Sequence, residues 1–203
     1  MNDKKEICEI CGKHTPSYNS ILISQEKGHK LVCLPCYNKD MSEAVGVEYE
    51  HVELHPILLK DAVNVEHTFY FAVQLQADNL LIETFELIDN QPAGYKFKIG
   101  GNVEDGLFVL FSKLYEKMLK GINKKHIHMS RETGSWQIHR DEDGNDVVRG
   151  RITADLESDD SMNTPLIVVD GKEITWKEFG RMLMTFEGGN FKIQMFDPYD
   201  EME

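Results

Sequence analysis

All four cysteines of this chain fall between positions 8 and 36, and the 167 residues that follow hold none. They form two C-x-x-C pairs, Cys8-Glu-Ile-Cys11 and Cys33-Leu-Pro-Cys36, separated by twenty-one residues. Each such turn aims two sulfurs at a common point, and two turns complete a tetrahedron around a metal with Zn–S near ~2.3 Å. The gap is slightly longer than the usual zinc spacing. The pattern predicts that Cys8, Cys11, Cys33 and Cys36 bind one structural Zn²⁺. Four sulfurs close the coordination sphere and leave no open position for a reacting water. A disulfide framework needs an oxidising compartment, and a thioredoxin-like site needs one pair rather than two. Spacing alone leaves iron, as rubredoxin-like iron or a cluster, as the alternative metal.

The residues around the cysteines resemble a treble-clef zinc finger. Gly12 follows Cys11, where a metal-binding knuckle requires a positive φ. Ile21–Ile23 and Lys30–Val32 read as short strands around the turn Gln25–Gly28, and Pro35 suits the start of a helix over Tyr37–Val45. The resemblance implies a fold and a metal, not an activity. His14 and His29 lie inside this module and read as loop histidines.

The formal charge is −13. Residues 1–45 hold six basic and six acidic side chains, so the whole excess lies in the rest of the chain. Four thiolates and one Zn²⁺ take the module to about −2. Neither part offers a basic field for phosphates, so nucleic acid is an unfavoured partner. The amino terminus lacks an apolar signal core, and no apolar run is long enough to cross a bilayer. These features point to a cytoplasmic protein with no membrane partner.

The body reads as α+β. His67–Leu75, Leu80–Leu87 and Tyr95–Ile99 form an antiparallel meander with one face covered. Leu107, Leu110, Phe111, Leu114, Met118 and Leu119 repeat at helical spacing and supply the cover. Trp136–His139 and Val147–Thr153 flank the acidic turn Arg140–Asp146 and read as a hairpin. That turn lacks the glycine and glutamate a calcium loop needs. Leu166–Val169 is a buried strand, and Asp170-Gly171 a tight turn. Thr175-Trp176-Lys177-Glu178 is a capping box opening a helix that buries Trp176, Phe179, Leu183 and Phe186 with help from Met182. Phe191–Phe196 reads as a final strand. The predicted organisation is a zinc module over residues 1–46 and an α+β domain over 47–203, with a sub-boundary near 125–135.

From about residue 54 onward the chain resembles an uncharacterised bacterial family of small acidic proteins. The resemblance lies in Gly94-Tyr95-Lys96-Phe97, Lys113-Leu114-Tyr115-Glu116-Lys117, Val148-Arg149-Gly150-Arg151-Ile152 and the stretch Asp170–Gly188. It implies a common fold and no assigned activity. Relatives carry an aromatic residue after that last glycine, where this chain has Gly189.

No nucleophile elbow, zinc-protease helix, P-loop or dinucleotide fingerprint is present in the sequence. The leading expectation is therefore a non-enzymatic adaptor or regulatory protein with a protein partner. Exposed polar groups around the last helix, Glu178, Arg181 and Glu187, could serve such a partner. The alternatives are a nucleic-acid binder using Lys13, Lys27 and Lys30 of the finger, and an enzyme built on His126, His128 or His139.

Overall fold

The computed structural model describes residues 6–25, 28–140, 147–161 and 163–199. The chain forms two compact units, Met1–Met118 and Leu119–Glu203. The architecture is mixed α+β with antiparallel sheets and three α-helices among the described residues.

The first unit opens with two short hairpins and a helix. β1 (Glu6–Ile7) pairs with β2 (His14–Thr15), and β3 (Ser20–Gln25) with β4 (Gly28–Cys33). Helix α1 (Leu34–Val45) starts directly from β4, with Cys33 as its N-cap and Pro35 in its first turn. Proline is tolerated there because those amides have no intrahelical partner. Gly46 ends the helix in the left-handed conformation at φ 72°, returning its N–H to the Ser42 carbonyl.

A four-stranded antiparallel sheet follows, in the order β5 (Ile57–Lys60), β6 (Glu66–Gln76), β7 (Asn79–Ile88), β8 (Gln91–Asn102). The expected meander is β6–β7–β8, and β5 extends it. Strict alternation in β6 buries Phe69, Phe71, Val73 and Leu75 on one face. Helix α2 (Leu107–Asn123) presents Leu110, Leu114 and Met118, all buried, as the spacing predicted. Phe71 and Phe111 stand 5.6 Å apart between ring centroids. A Cβ on Gly101 would press on the Leu110 side chain, which would have to shift to admit it. On the other face, Tyr18 of the amino-terminal segment packs edge-on against Phe85 at 5.2 Å and lies 6.0 Å from Tyr70.

The second unit holds a hairpin of β9 (Ile127–Met129) and β10 (Trp136–Ile138) and a sheet ordered β11 (Arg151–Ala154), β12 (Pro165–Val169), β13 (Lys172–Thr175). Asp170 and Gly171 both take positive φ in the β12–β13 turn, as a two-residue hairpin loop demands. Helix α3 (Trp176–Leu183) opens on the predicted capping box: Thr175 accepts from the Glu178 amide, and the Glu178 carboxylate accepts from the Thr175 amide. The core joins Ile127, Ile138, Ile167, Val169, Ile174 and Met182.

Three expectations are corrected here. Trp136–Ile138 pairs backwards with β9, and Arg151–Ala154 pairs forwards with β12, so the two do not form a hairpin with each other. The acidic residues 141–146 between them lie outside the described residues. Helix α3 buries Met182 and partly buries Phe179 and Phe186, but leaves Trp176 and Leu183 about half exposed. The helix is short and meets its sheet along a narrow stripe, so its flanking apolar positions stay in solvent. Finally, among the described residues Phe191–Phe196 pairs with no strand, although its alternation is strand-like.

Candidate metal centre

The first C-x-x-C turn is made by a knuckle between β1 and β2. The Gly12 N–H donates to the Cys8 carbonyl at 2.8 Å, and the Cys8 N–H to the Lys13 carbonyl at 3.0 Å. Gly12 sits at φ 71°, which an L side chain resists. The second turn is the junction of β4 and α1, which carries Cys33 on the last strand residue and Cys36 in the first helical turn. Glu9 fastens the two together. Its N–H donates to the Leu31 carbonyl at 2.9 Å, and its carboxylate accepts the Leu31 N–H at 2.8 Å.

This scaffold brings Cys8, Cys11, Cys33 and Cys36 together, with all four sulfurs within 4.8 Å of one another. Cys11 Sγ and Cys33 Sγ are 3.8 Å apart, and all four cysteines are free thiols with no disulfide. Cys8 and Cys33 are buried, and Val32, Ile21, Ile23 and Tyr37 pack around them. The cluster can hold a metal ion. Its electrostatics explain why it would need one. Burial disfavours the Cys8 thiolate, but backbone N–H groups aimed at its sulfur outweigh that and bring the thiol down to about 6. Burial pushes Cys33 and Cys36 up, and the neighbouring sulfurs push Cys36 further. One thiolate forms readily and its neighbours then resist ionisation; a cation at the centre removes that resistance.

Asn38, two residues after Cys36, is a buried polar residue that the sequence did not announce. It is fully buried. Strand β5 covers β6 only as far as Phe69, so beyond that the β6 edge is open. The Asn38 carboxamide fills it like a piece of strand, accepting from the Leu75 N–H and donating to the Val73 carbonyl, each at 2.8 Å. Those two backbone partners fix which end of the amide is which. The remaining Nδ2 proton goes to His51 Nδ1 at 2.8 Å. His51 is thereby held neutral, with its proton on Nε2. Burial lowers its pKa, and Glu53 partly opposes this. Helix α1, the connector and β6 thus meet at one amide. A cavity of about 130 Å³ lies beside this junction, lined by Tyr18, His51, His55, Tyr70 and Phe71 among others.

The predicted histidine sites are not united. His14 and His29 stand outside the four-sulfur group. His126 is buried; its Nδ1 donates to the Val147 carbonyl at 2.9 Å and its backbone N–H to Asp170 at 2.7 Å. Burial lowers its pKa, against the pull of Asp170 and the Val147 carbonyl. His128 and His139 face each other edge-on, 6.0 Å between centroids. A different histidine, His67, is the one set among carboxylates: Nδ1 is 2.8 Å from Glu86 Oε1, and Nε2 is 3.5 Å from buried Asp61 Oδ2. Asp61 also accepts the Val63 and Val65 amides, and Glu86 the Tyr95 amide. This network pins β5, β6, β7 and β8 together. No periodicity marks it, because its members are scattered over thirty-five positions.

Three families of unknown function match successive parts of this chain. Residues 7–48 match domain of unknown function DUF7685, residues 50–123 match DUF7686, and residues 126–200 match DUF7713. No curated protein and no solved structure matches the chain. The matches agree with the resemblance to uncharacterised proteins in its general form.

Proposed function

We propose that this chain is a zinc-dependent, non-enzymatic adaptor in which one Zn²⁺, held by Cys8, Cys11, Cys33 and Cys36, folds a treble-clef-like module whose helix is docked on the body's sheet. The carrying observation is the sulfur spacing. A regular tetrahedron with Zn–S of about 2.3 Å has edges of about 3.8 Å, and Cys11 and Cys33 stand 3.8 Å apart. Four sulfurs without oxygen or open position suit a structural ion rather than a reacting one. Their reduced state fits a cytoplasmic setting. The order of knuckle, hairpin and helix supports the treble-clef reading. The division into residues 1–46 and 47–203, with a sub-boundary near 125–135, is supported by the breaks between family matches at 48–50 and 123–126.

The adaptor role rests on what the metal does. It stabilises a small module that could not otherwise bury a core, and that module is joined through Asn38 to the sheet beneath it. The partner is a protein. Elemental analysis of protein purified without added metal should return about one zinc per chain. Cys11→Ser, the exposed ligand, should lower occupancy and loosen residues 6–46. A chain that holds no zinc while keeping that segment folded would refute the proposal, as would one that holds iron instead.

A further inference from the structure

The segment Phe191–Phe196 is the least explained part of the fold. Phe191 is 87% exposed, Ile193 67% and Met195 68%. In an extended strand these three would share one side, with Lys192 and Gln194 between them. Among the described residues, no backbone group from Asn190 to Phe196 is paired with another backbone group. An unpaired, alternating apolar strand is an element waiting for a sheet edge. The match to DUF7713 runs to residue 200, so this stretch belongs to the recurring domain.

The second unit has an edge that fits it. In the β11–β12–β13 sheet, Ile152 lies opposite Ile167, and Ile167 opposite Ile174. All three therefore share one face. Ile167 and Ile174 are buried in the core, yet Ile152 on the edge strand is 56% exposed. The core face of the sheet is uncovered along β11. A strand added there would extend that face by another row of apolar side chains.

Charge selects the direction. Arg149 and Arg151 stand at the start of β11, and Asp155, Glu157, Asp159 and Asp160 follow its end. The free segment is followed by Asp197, and in sequence by Asp200, Glu201 and Glu203. Antiparallel addition brings those carboxylates to the arginines; parallel addition brings them to the acidic loop. Like charges brought together cost free energy and opposite ones gain it.

We infer that Phe191–Phe196 of one copy adds antiparallel to β11 of a second copy, with Phe191, Ile193 and Met195 extending the partner's core face beside Ile152. Among the described residues each chain carries this unpaired segment and, at β11, an edge that can receive it, so the exchange is reciprocal and closes as a two-fold dimer. In the single chain every residue from 191 to 199 is exposed rather than laid on its own edge. Gly188, at φ 85°, and Gly189, whose N–H donates to the Phe186 carbonyl at 2.9 Å, precede the segment.

Analytical ultracentrifugation of the zinc-loaded full chain across a concentration series tests this, together with hydrogen exchange. The expected result is a concentration-dependent dimer in which the amides of 151–154 and 191–195 gain protection together. Ile193→Pro removes a ladder donor and should weaken dimerisation by about tenfold or more. It lies in an exposed, unpaired segment, so circular dichroism and zinc content should be unchanged. Arg151→Glu should weaken the dimer as well. A monomer at all micromolar concentrations overturns the inference. So does a dimer indifferent to Ile193→Pro, which would place the contact elsewhere. Protection of 191–195 in a monomer also overturns it, since the strand would then dock on its own chain.

Discussion

Asn38 does with one side chain what a missing stretch of strand would do. Its three hydrogen bonds satisfy two backbone groups of β6 and one ring nitrogen of His51. Asn38→Ala leaves the Val73 carbonyl and the Leu75 amide without partners, and each buried orphan costs about 1–3 kcal/mol. Chemical denaturation should show a loss of roughly 2–4 kcal/mol; a loss near zero would mean water replaces the amide. His51 makes the same junction acid-sensitive. Its folded pKa is depressed, so the folded chain binds fewer protons than the unfolded chain below about pH 6.5. The contribution is complete above that value and is lost as pH falls through the lowered pKa. His126 is shifted the same way by burial and adds to the slope. Nuclear magnetic resonance titration should give both rings midpoints below the ordinary histidine value. His51→Gln, which keeps an acceptor for Asn38 without titrating, should flatten part of the acid limb below about pH 6.5.

At the scale of elements, the four-cysteine cluster and the sheet are linked through α1. The helix has Cys33 as its N-cap and carries Cys36 in its first turn, with Asn38 two residues on. If the cluster holds the proposed ion, chelation frees this turn, because metal-binding energy in such modules is largely folding energy. The expected outcome by hydrogen exchange is selective. Residues 6–46 should lose protection, and so should the Leu75 amide, whose acceptor is Asn38. Amides shared between β7 and β8 should keep theirs, since α2 and the His67 network hold that part of the sheet. Unchanged protection at Leu75 would show that α1 stays docked without metal. The capping box at α3 belongs to this scale too. It was legible from Thr175 and Glu178 because the signal is local, four residues long and made of the residue types that satisfy free amides. The pairing partners of Trp136–Ile138 and Arg151–Ala154 were not legible. Two short strands near each other in sequence suggest a hairpin, yet each found a better-packed neighbour through Ile127 and Ile167.

For the whole molecule, charge gives a definite expectation. The chain carries −13, and its first 45 residues are neutral before metal. Nonspecific nucleic-acid binding comes mainly from Lys and Arg neutralising phosphates, with about 6–10 contacts in a strong binder. Lys13, Lys27 and Lys30 are too few. A salt-titrated assay with mixed-sequence DNA and RNA should show no micromolar affinity near physiological salt; binding with a steep salt slope, lost on mutating those lysines, would overturn the expectation. The sequence by itself determined the four-cysteine cluster, the meander, the cover helix and the capped helix. Each is written in a short-range pattern: a two-residue spacing between cysteines, a period of two, a period of about 3.6, a four-residue box. Tertiary structure alone decided the rest. Asn38 became a strand surrogate only because the β5–β6 pairing reaches no further than Ile57 opposite Phe69, and His67 met Asp61 and Glu86 only because three strands lie side by side. Phe191–Phe196 has the period of a strand but pairs with no strand among the described residues, because periodicity carries no information about where a partner edge lies.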